Sequence, residues 1–258
     1  MIDWKGIIKS ISPSGSDAVI LGVAYSMPTL IETYEINTPL RQAHFLAQAA
    51  HESAGFKTTT EYASGAAYEG RIDLGNCNPG DGKRFPGRGI FQITGRSNQE
   101  RAAKKMNILE QWNADPTILA KFPYAALTAG DYWQWRGLNA FADADDHLKI
   151  TKLINGGTNG LADRIKYLAR AKAALLQSAS DSPTIAPVPT VDAAIAFVEA
   201  IKIMIPDVMV SDLQHAANRL TNAGLKIDGT WGPKTEEAIK NIFRKSNGSN
   251  GRNGNATI

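Results

Sequence analysis

The chain has very little cysteine, and this scarcity already excludes one class of protein. Of its 258 residues only Cys77 is a cysteine, so no disulfide can form within the chain and a small disulfide-held scaffold is excluded. A single thiol is compatible with synthesis and folding in a reducing cytoplasm. A chain of this length, with 43% hydrophobic residues, has enough apolar material for one large domain or two smaller ones.

Long hydrophobic runs and a strong excess of charge are also missing. Charged residues and proline interrupt the most apolar windows, residues 18–34 and 191–210, so neither predicts a membrane span. The first residues lack a basic segment followed by an apolar one, which argues against a secretory signal peptide. The net charge of +3 is too small to indicate a nucleic acid partner, although it suits approach to an anionic surface.

The most informative stretch contains a predicted buried helix. Residues 41–53 are mostly good helix formers, Pro39 stands where a helix begins, and Gly55 stands where one ends. Glu52 then lies in the last turn, where the negative end of the helix dipole disfavours ionisation. Burial in an apolar cleft raises a carboxyl pKa further, as a general acid requires.

A second carboxylate, Glu61, follows after a polar loop. One glutamate on a rigid helix end and another on the next loop form the arrangement used for glycoside hydrolysis by two carboxylates. The alternative interpretation is that Glu52 and Glu61 are solvated surface groups.

Further along, a long glycine-rich segment leads into an apolar run. A loop as long as residues 65–95 is usually functional or disordered. In the following run, residues 87–96 (GRGIFQITGR), alternation predicts a short strand with Gln92 and Thr94 on one face. A half-buried edge strand without a function explains this pattern equally well. An aromatic set farther on fits a core, a sugar platform or both: Tyr124, Tyr132, Trp133 and Trp135.

The remaining patterns predict a mainly α fold in two parts. We expect helices over residues 2–11, 17–35, 97–107, 116–136, 143–154 and 161–178. Residues 179–190 are rich in Ser, Pro and Ala and predict a linker. We therefore expect a catalytic domain over residues 1–178, a small helical domain over 191–245 and a disordered, low-complexity tail over 246–258.

Together, the motifs of the first part resemble glycoside hydrolase family 19, the chitinase-like family, in its bacteriophage endolysin branch. The elements HES-x-GF, CNPG, GRGIFQITGR, INGG and DRIKYL occur in the family's order over about residues 40–170. The resemblance implies a lysozyme-like helical domain and an inverting hydrolase, for which we expect neither a cofactor nor a metal ion. Glu52 would be the general acid and Glu61 the base, with carboxyl groups roughly 6.5–9.5 Å apart.

The same resemblance implies roles for other residues of these motifs. Thr94 would help to hold the attacking water, and Arg164 would pair with a catalytic carboxylate. The substrate-binding residues would include Gln92, Asn155 and His51. The sequence leaves open whether the substrate is peptidoglycan, which alternates N-acetylmuramic acid and N-acetylglucosamine, or chitin, the polymer of N-acetylglucosamine.

The second part resembles a small helical peptidoglycan-binding module. Its LQ, DG and WGPKT elements lie within residues 213–235. Here Trp231 is expected either to contact glycan or to pack in the core. As a phage lysin, the chain would be a monomer made in the host cytoplasm, would need a separate holin-type export route, and would act on the cell wall in the periplasm.

Two other activities and one non-catalytic role are compatible with these motifs. A lytic transglycosylase shares the ES-x-G and G-x-x-Q elements but needs one carboxylate and forms an anhydro sugar. An antibacterial toxin would use the same chemistry as a lysin. A wall-binding protein would keep the cleft as a lectin site.

Overall fold

The computed structural model describes residues 2–180, 210, 213, 214, 217, 218 and 223–248. The chain divides into two compact units, residues 2–182 and 183–258. The described residues are mainly helical, and this confirms the predicted fold class. Within them, no helix is long and apolar enough to cross a membrane.

The helices of the first unit surround one central helix. In chain order they are α1 Trp4–Ile11, α2 Asp17–Thr33, α3 Pro39–Glu52, α4 Asp81–Arg84, α5 Arg96–Lys105, α6 Leu109–Ala114, α7 Tyr124–Trp135, α8 Leu138–Asp143, α9 His147–Asn155 and α10 Leu161–Ser180. Short 3₁₀ helices lie at Ala66–Tyr68, Ile72–Leu74 and Pro116–Ala120, and the second unit contains α11, Pro233–Gly248.

The central helix is α3, and its sequence explains both of its ends. The hydroxyl of Thr38 accepts a hydrogen bond from the Arg41 N–H, and Pro39 begins the helix. At the other end Gly55 adopts a positive φ of 77°, a conformation that glycine tolerates best. Every residue from Gln42 to Ala50 is buried, so α3 is enclosed by the other helices, and α10 packs along it.

The predicted helix over residues 116–136 is wrong, because the chain breaks there into two elements. A 3₁₀ helix covers Pro116–Ala120, and α7 begins only at Tyr124. Pro123 precedes α7 and has no N–H to continue a helix from the residues before it. The short helices α6 and α8 were not predicted.

The glycine-rich segment over residues 65–95 is ordered by polar side chains. The Glu69 carboxylate accepts two backbone hydrogen bonds around the start of α4, at 2.7 and 2.8 Å. Asn76 is fully buried; its amide donates to the Tyr68 carbonyl and accepts from the Arg96 N–H, both at 2.9 Å. Side-chain bonds thus replace a regular ladder of backbone bonds, which explains why periodicity is absent from the sequence.

The predicted strand in residues 87–96 is a tight turn instead. The backbones of Arg88 and Ile93 bond to each other at 2.8 and 3.3 Å, and Gln92 lies inside the turn with a positive φ of 51°. The expected alternation is seen only in the burial of these residues. Gln92 and Thr94 are half-buried, and Phe91 and Ile93 are buried.

In the second unit, the described residues form a small core around Ala217, Leu225, Ala238 and Ile239. Helix α11 continues to Gly248, so the first three residues of the predicted tail are helical. At the other boundary α10 ends at Ser180, two residues into the predicted linker. The rest of the linker and of the tail lies outside the described residues.

A buried histidine ties α3 to the helices around it. His44 is fully buried, and its Nε2 lies 2.7 Å from Oδ1 of Asp145, whose carboxylate also pairs with Lys172 at 2.6 Å. Burial lowers the pKa of His44, and Asp145 only partly opposes this effect. The pKa of Asp145 is lowered chiefly by its hydrogen bond from Lys172.

We therefore predict that the first unit loses stability on mild acidification. Since the pKa of His44 is lower in the folded state, its stabilising contribution is complete above the ordinary histidine pKa of about 6.5 and is lost as the pH falls below it. Urea unfolding at about pH 7.5 and about pH 5.5 measures this difference. His44→Gln should reduce the difference, and an unchanged pH dependence in this variant would contradict the assignment.

Candidate active site

Glu52 ends α3 in an ion pair with α10. Its Oε1 lies 2.5 Å from Nη2 of Arg164, and the exposed fractions of the two side chains are 20% and 2%. Arg164 also donates to the side-chain carbonyl of Gln48, one turn before Glu52, and to the Asn159 carbonyl. A guanidinium held at three points gives Glu52 one orientation. The structure thus pairs Arg164 with the proposed acid.

His51 is fixed by the residue that precedes Arg164. Its Nδ1 lies 2.8 Å from Oδ2 of Asp163. The imidazole packs directly on Gly160, where a Cβ atom would lie only 2.2 Å from its Cε1. Two neighbouring residues of α10 therefore hold two neighbouring residues of α3, and His51 supports the position of Glu52.

Glu61 is held on both carboxylate oxygens. The Tyr68 hydroxyl donates to Oε1 at 2.6 Å, and the Gly87 N–H donates to Oε2 at 2.8 Å. The Glu61 N–H in turn donates to the Gly87 carbonyl at 2.9 Å. The hydrogen bond to Glu61 is the largest cause that raises the pKa of Tyr68. Glu61 is thus an oriented side chain, although it lies on a loop.

Gly87 also connects Glu61 to the turn that carries Gln92 and Thr94. A Cβ atom on Gly87 would lie 3.1 Å from Oε1 of Gln92 and 3.2 Å from Oε2 of Glu61, so the two side chains flank this glycine. Within the turn, the Gln92 amide donates to the Gly89 carbonyl at 2.8 Å, and the Thr94 hydroxyl donates to the Gln92 carbonyl at 3.0 Å.

A cavity of about 230 Å³ brings Glu52, Gln92 and Thr94 together. Its other lining residues are Leu74, Phe91, Ile93, Asn98, Arg101, Tyr132, Trp135 and Ile154. The aromatic set therefore separates. Trp133 and Tyr124 are buried in the core, whereas Tyr132 and Trp135 face the cavity.

Five of the eight predicted site residues do not line this cavity: Glu61, His51, Arg164, Asn155 and Trp231. Asn155 is exposed at the end of α9, one residue beyond the cavity-lining Ile154. Trp231, in the second unit, packs against the small core, and its indole N–H is buried without a partner among the described residues. This packing favours a structural role for Trp231. Among the described side chains, no group of three His, Cys, Asp or Glu is placed to hold a metal ion.

Sequence reasoning missed the residues that hold or flank the predicted ones. Tyr68 and Gly87 orient Glu61, and Asn98 and Arg101 line the cavity beside Glu52. Gly87 begins a recognised motif, but nothing in the sequence connects Tyr68 to Glu61. That contact exists only because the segment between them folds back.

Comparisons with known proteins show which sequences and folds the chain is similar to. The chain is 27% identical, over 179 residues, to a glycosyl hydrolase family 19 domain-containing protein of Haemophilus influenzae; the match covers 57% of this chain and 86% of the relative. The structure is similar to chitinase C from Streptomyces griseus, with a TM-score of 0.52 and 18% identity over 66% of this chain and 91% of the chitinase. A mutant of chitinase C matches with the same TM-score and 17% identity, over the same shares of the two chains. No family model matches the chain.

The similarity to a family 19 protein supports the assignment of the chain as a glycoside hydrolase. Its helical fold is the chitinase-like fold of glycoside hydrolase family 19.

We predict that Tyr68→Phe lowers turnover with little change in KM. The variant removes a hydrogen bond to a charged group, which is typically worth about 1.5–3 kcal/mol, so kcat should fall about tenfold or more. Steady-state kinetics on whichever glycan the wild type cleaves measures this effect. Tyr62→Phe is the matched control, because Tyr62 is 80% exposed on the same loop. A wild-type kcat in Tyr68→Phe would show that the bond does not orient Glu61 for the reaction.

Proposed function

We propose that the protein is an endolysin that hydrolyses β-1,4 bonds between amino sugars in the glycan strands of bacterial peptidoglycan and so lyses the host cell. One observation carries the catalytic part: two glutamates beside residues 87–94 are held independently. Glu52 shares a cavity with Gln92 and Thr94 and is held by Arg164, and Glu61 is held by Tyr68 and Gly87. The substrate part is supported by the resemblance of residues 191–245 to a wall-binding module.

In the proposed inverting reaction, Glu52 gives its proton to the leaving oxygen while Glu61 removes a proton from the attacking water. As Glu52 loses its proton, Arg164 at 2.5 Å stabilises the carboxylate that forms. Each oxygen of Glu61 accepts one hydrogen bond from the protein. Since a carboxylate oxygen has two lone pairs, capacity to accept from water is left.

Thr94 and Gln92 are suited to position water and substrate. The Thr94 hydroxyl donates to the backbone carbonyl of Gln92, so the Thr94 hydroxyl oxygen is left to accept a hydrogen bond from the attacking water. The side-chain amide of Gln92 uses an N–H within the turn, while its side-chain oxygen Oε1 lies beside Gly87, near Glu61. That oxygen is an acceptor for the N–H of a sugar acetamido group.

The other functions are supported less well. A transglycosylase does not need a second carboxylate, yet here two hydrogen bonds orient Glu61. A non-catalytic wall-binding protein would not require the paired Glu52 and Arg164. A chitinase is the main alternative, because the same chemistry cleaves chitin. Monomeric state, holin-type export and action in the periplasm complete the proposal.

Analysis of digested, purified peptidoglycan by mass spectrometry tests this function. We expect new reducing ends that have gained one water, with inverted anomeric form. Glu52→Gln should abolish cleavage, because an amide cannot serve as the acid, and Glu61→Gln should lower turnover about 10²–10⁴-fold. Glu110→Gln, on an exposed side chain of α6, is the charge-matched control. Products with 1,6-anhydro ends and a nearly active Glu61→Gln would replace this proposal with a transglycosylase.

A second prediction concerns the proposed wall-binding unit, in which Gln214 holds the turn at Asp228 and Gly229. The side-chain nitrogen of Gln214 lies 3.0–3.1 Å from acceptor oxygens of Asp228, Thr230 and Thr235. Its side-chain oxygen accepts from the backbone N–H groups of Asp228 and Gly229 at 3.1 Å.

Gln214→Leu should therefore unfold this turn and reduce retention of the full chain on insoluble peptidoglycan. A pelleting assay measures retention. Turnover of soluble glycan fragments should stay near wild type, because Glu52 and Glu61 lie in the other unit. Wild-type retention in Gln214→Leu would place wall binding outside the second unit.

A further inference from the structure

An exposed tryptophan lines part of the cavity. Trp135 is 55% exposed, whereas the chain's other tryptophans are buried or half-buried. It lines the same cavity as Glu52 and meets Tyr132 edge to face, with ring centroids 5.9 Å apart. An exposed aromatic ring beside a catalytic carboxylate is a surface on which a sugar ring stacks.

Two arginines surround this tryptophan. The guanidinium carbon of Arg101 lies 4.6 Å from the ring centroid of Trp135, and that of Arg136 lies 5.6 Å from it. Cations this close to an indole are attracted by the ring and are held in place by it. Trp135 therefore supplies an apolar platform, and Arg101 and Arg136 supply guanidinium groups that are already positioned beside it.

The two arginines are not balanced by two carboxylates. Arg101 pairs with Asp131 at 2.8 Å. Arg136 donates to the Leu153 carbonyl at 3.0 Å, and no carboxylate of the described residues lies within ion-pair distance of it. The Leu153 bond uses one of the five guanidinium donors, and the Nε groups of both arginines are buried without a partner among the described residues. The buried Nε groups are enclosed by protein, and Arg136 does not itself line the cavity. Beside Trp135, however, Arg136 leaves one positive charge without a carboxylate partner among the described residues.

The excess charge bears on which sugar fits there. Chitin offers acetamido and hydroxyl groups and no ionised group. The muramic unit of peptidoglycan carries a lactyl ether and a peptide with free carboxylates. A guanidinium binds a carboxylate through two parallel hydrogen bonds, which adds both energy and geometric specificity.

We infer that the Trp135 end of the cavity binds an amino sugar that bears an acidic substituent, with the ring against Trp135 and the carboxylate beside Arg101 and Arg136. This inference rests on the proposed function, since it names the unit of the glycan that the same site recognises. It makes Arg101 and Arg136 the residues that distinguish peptidoglycan from a neutral polymer of the same linkage.

The test compares two substrates that differ only in charge. Purified sacculi are used either native or with their carboxylates converted to amides, so that the glycan bond stays the same. For the full-length wild type we expect kcat/KM to be about tenfold higher on native sacculi, the size of one charge-assisted contact. Added salt should raise KM on native sacculi more than on amidated sacculi.

The variants address the arginines separately. Arg136→Gln should lower kcat/KM on native sacculi and bring the ratio of the two substrates close to one, whereas Arg136→Lys, which keeps the charge, should restore part of it. Because Arg136 also holds Leu153, Arg101→Lys is a second variant, which keeps a cation near Asp131 but loses the planar fork. It should lower the ratio as well. Lys5→Gln removes an exposed charge on α1 and should leave the ratio at the wild-type value.

The outcomes separate this inference from the proposed function. Equal rates of the wild type on native and amidated sacculi, or a wild-type ratio in both arginine variants, would overturn the inference while peptidoglycan hydrolysis stands. Cleavage of neutral chitin oligosaccharides without cleavage of either kind of sacculus would overturn both and would identify a chitinase.

Discussion

The ion pair between Glu52 and Arg164 is the interaction on which the arrangement of this site depends. It joins the end of the central helix α3 to α10, and its cation is almost fully enclosed. Loss of the carboxylate leaves this enclosed guanidinium without its charge partner, which costs up to about 3–5 kcal/mol in buried pairs. The neighbouring contact between His51 and Asp163 fixes the same two helices in the same register.

The second carboxylate, Glu61, is held in a different way. Glu61 lies on a segment without regular structure, and its position depends on Tyr68 and Gly87. Those residues are held in turn by buried amides. Asn76 bonds to the Tyr68 carbonyl, and the Gln99 amide donates to carbonyls on both sides of the 87–93 turn at 2.6 and 2.9 Å. Glu52 at a helix end and Glu61 on a loop are therefore both fixed by contacts to other residues.

The fold and the choice of substrate depend on different parts of the protein. The helical scaffold is similar to that of a chitinase, but a fold does not determine which glycan is cleaved. In our proposal the substrate is selected by residues around Trp135. Trp135 and Arg101 line the cavity, and Arg136 lies against the indole of Trp135, so we look for specificity there rather than at the carboxylates.

The sequence by itself determined the features that depend on local chemistry. Helix α3 follows from helix propensity and capping, and its stop shortly before Gly55 follows from the conformation of that glycine. Together, these features place Glu52 in the last turn. Ordered motifs, which the resemblance made recognisable, located Arg164. The lower burial of Gln92 and Thr94 than of their neighbours also follows the sequence pattern, although the element is a turn and not a strand. Only the tertiary structure decided which of the adjacent rings of Trp133 and Trp135 is buried, since that depends on what packs against α7. It also decided that Tyr68 meets Glu61, because the loop that brings them together is closed by hydrogen bonds between residues far apart in the chain.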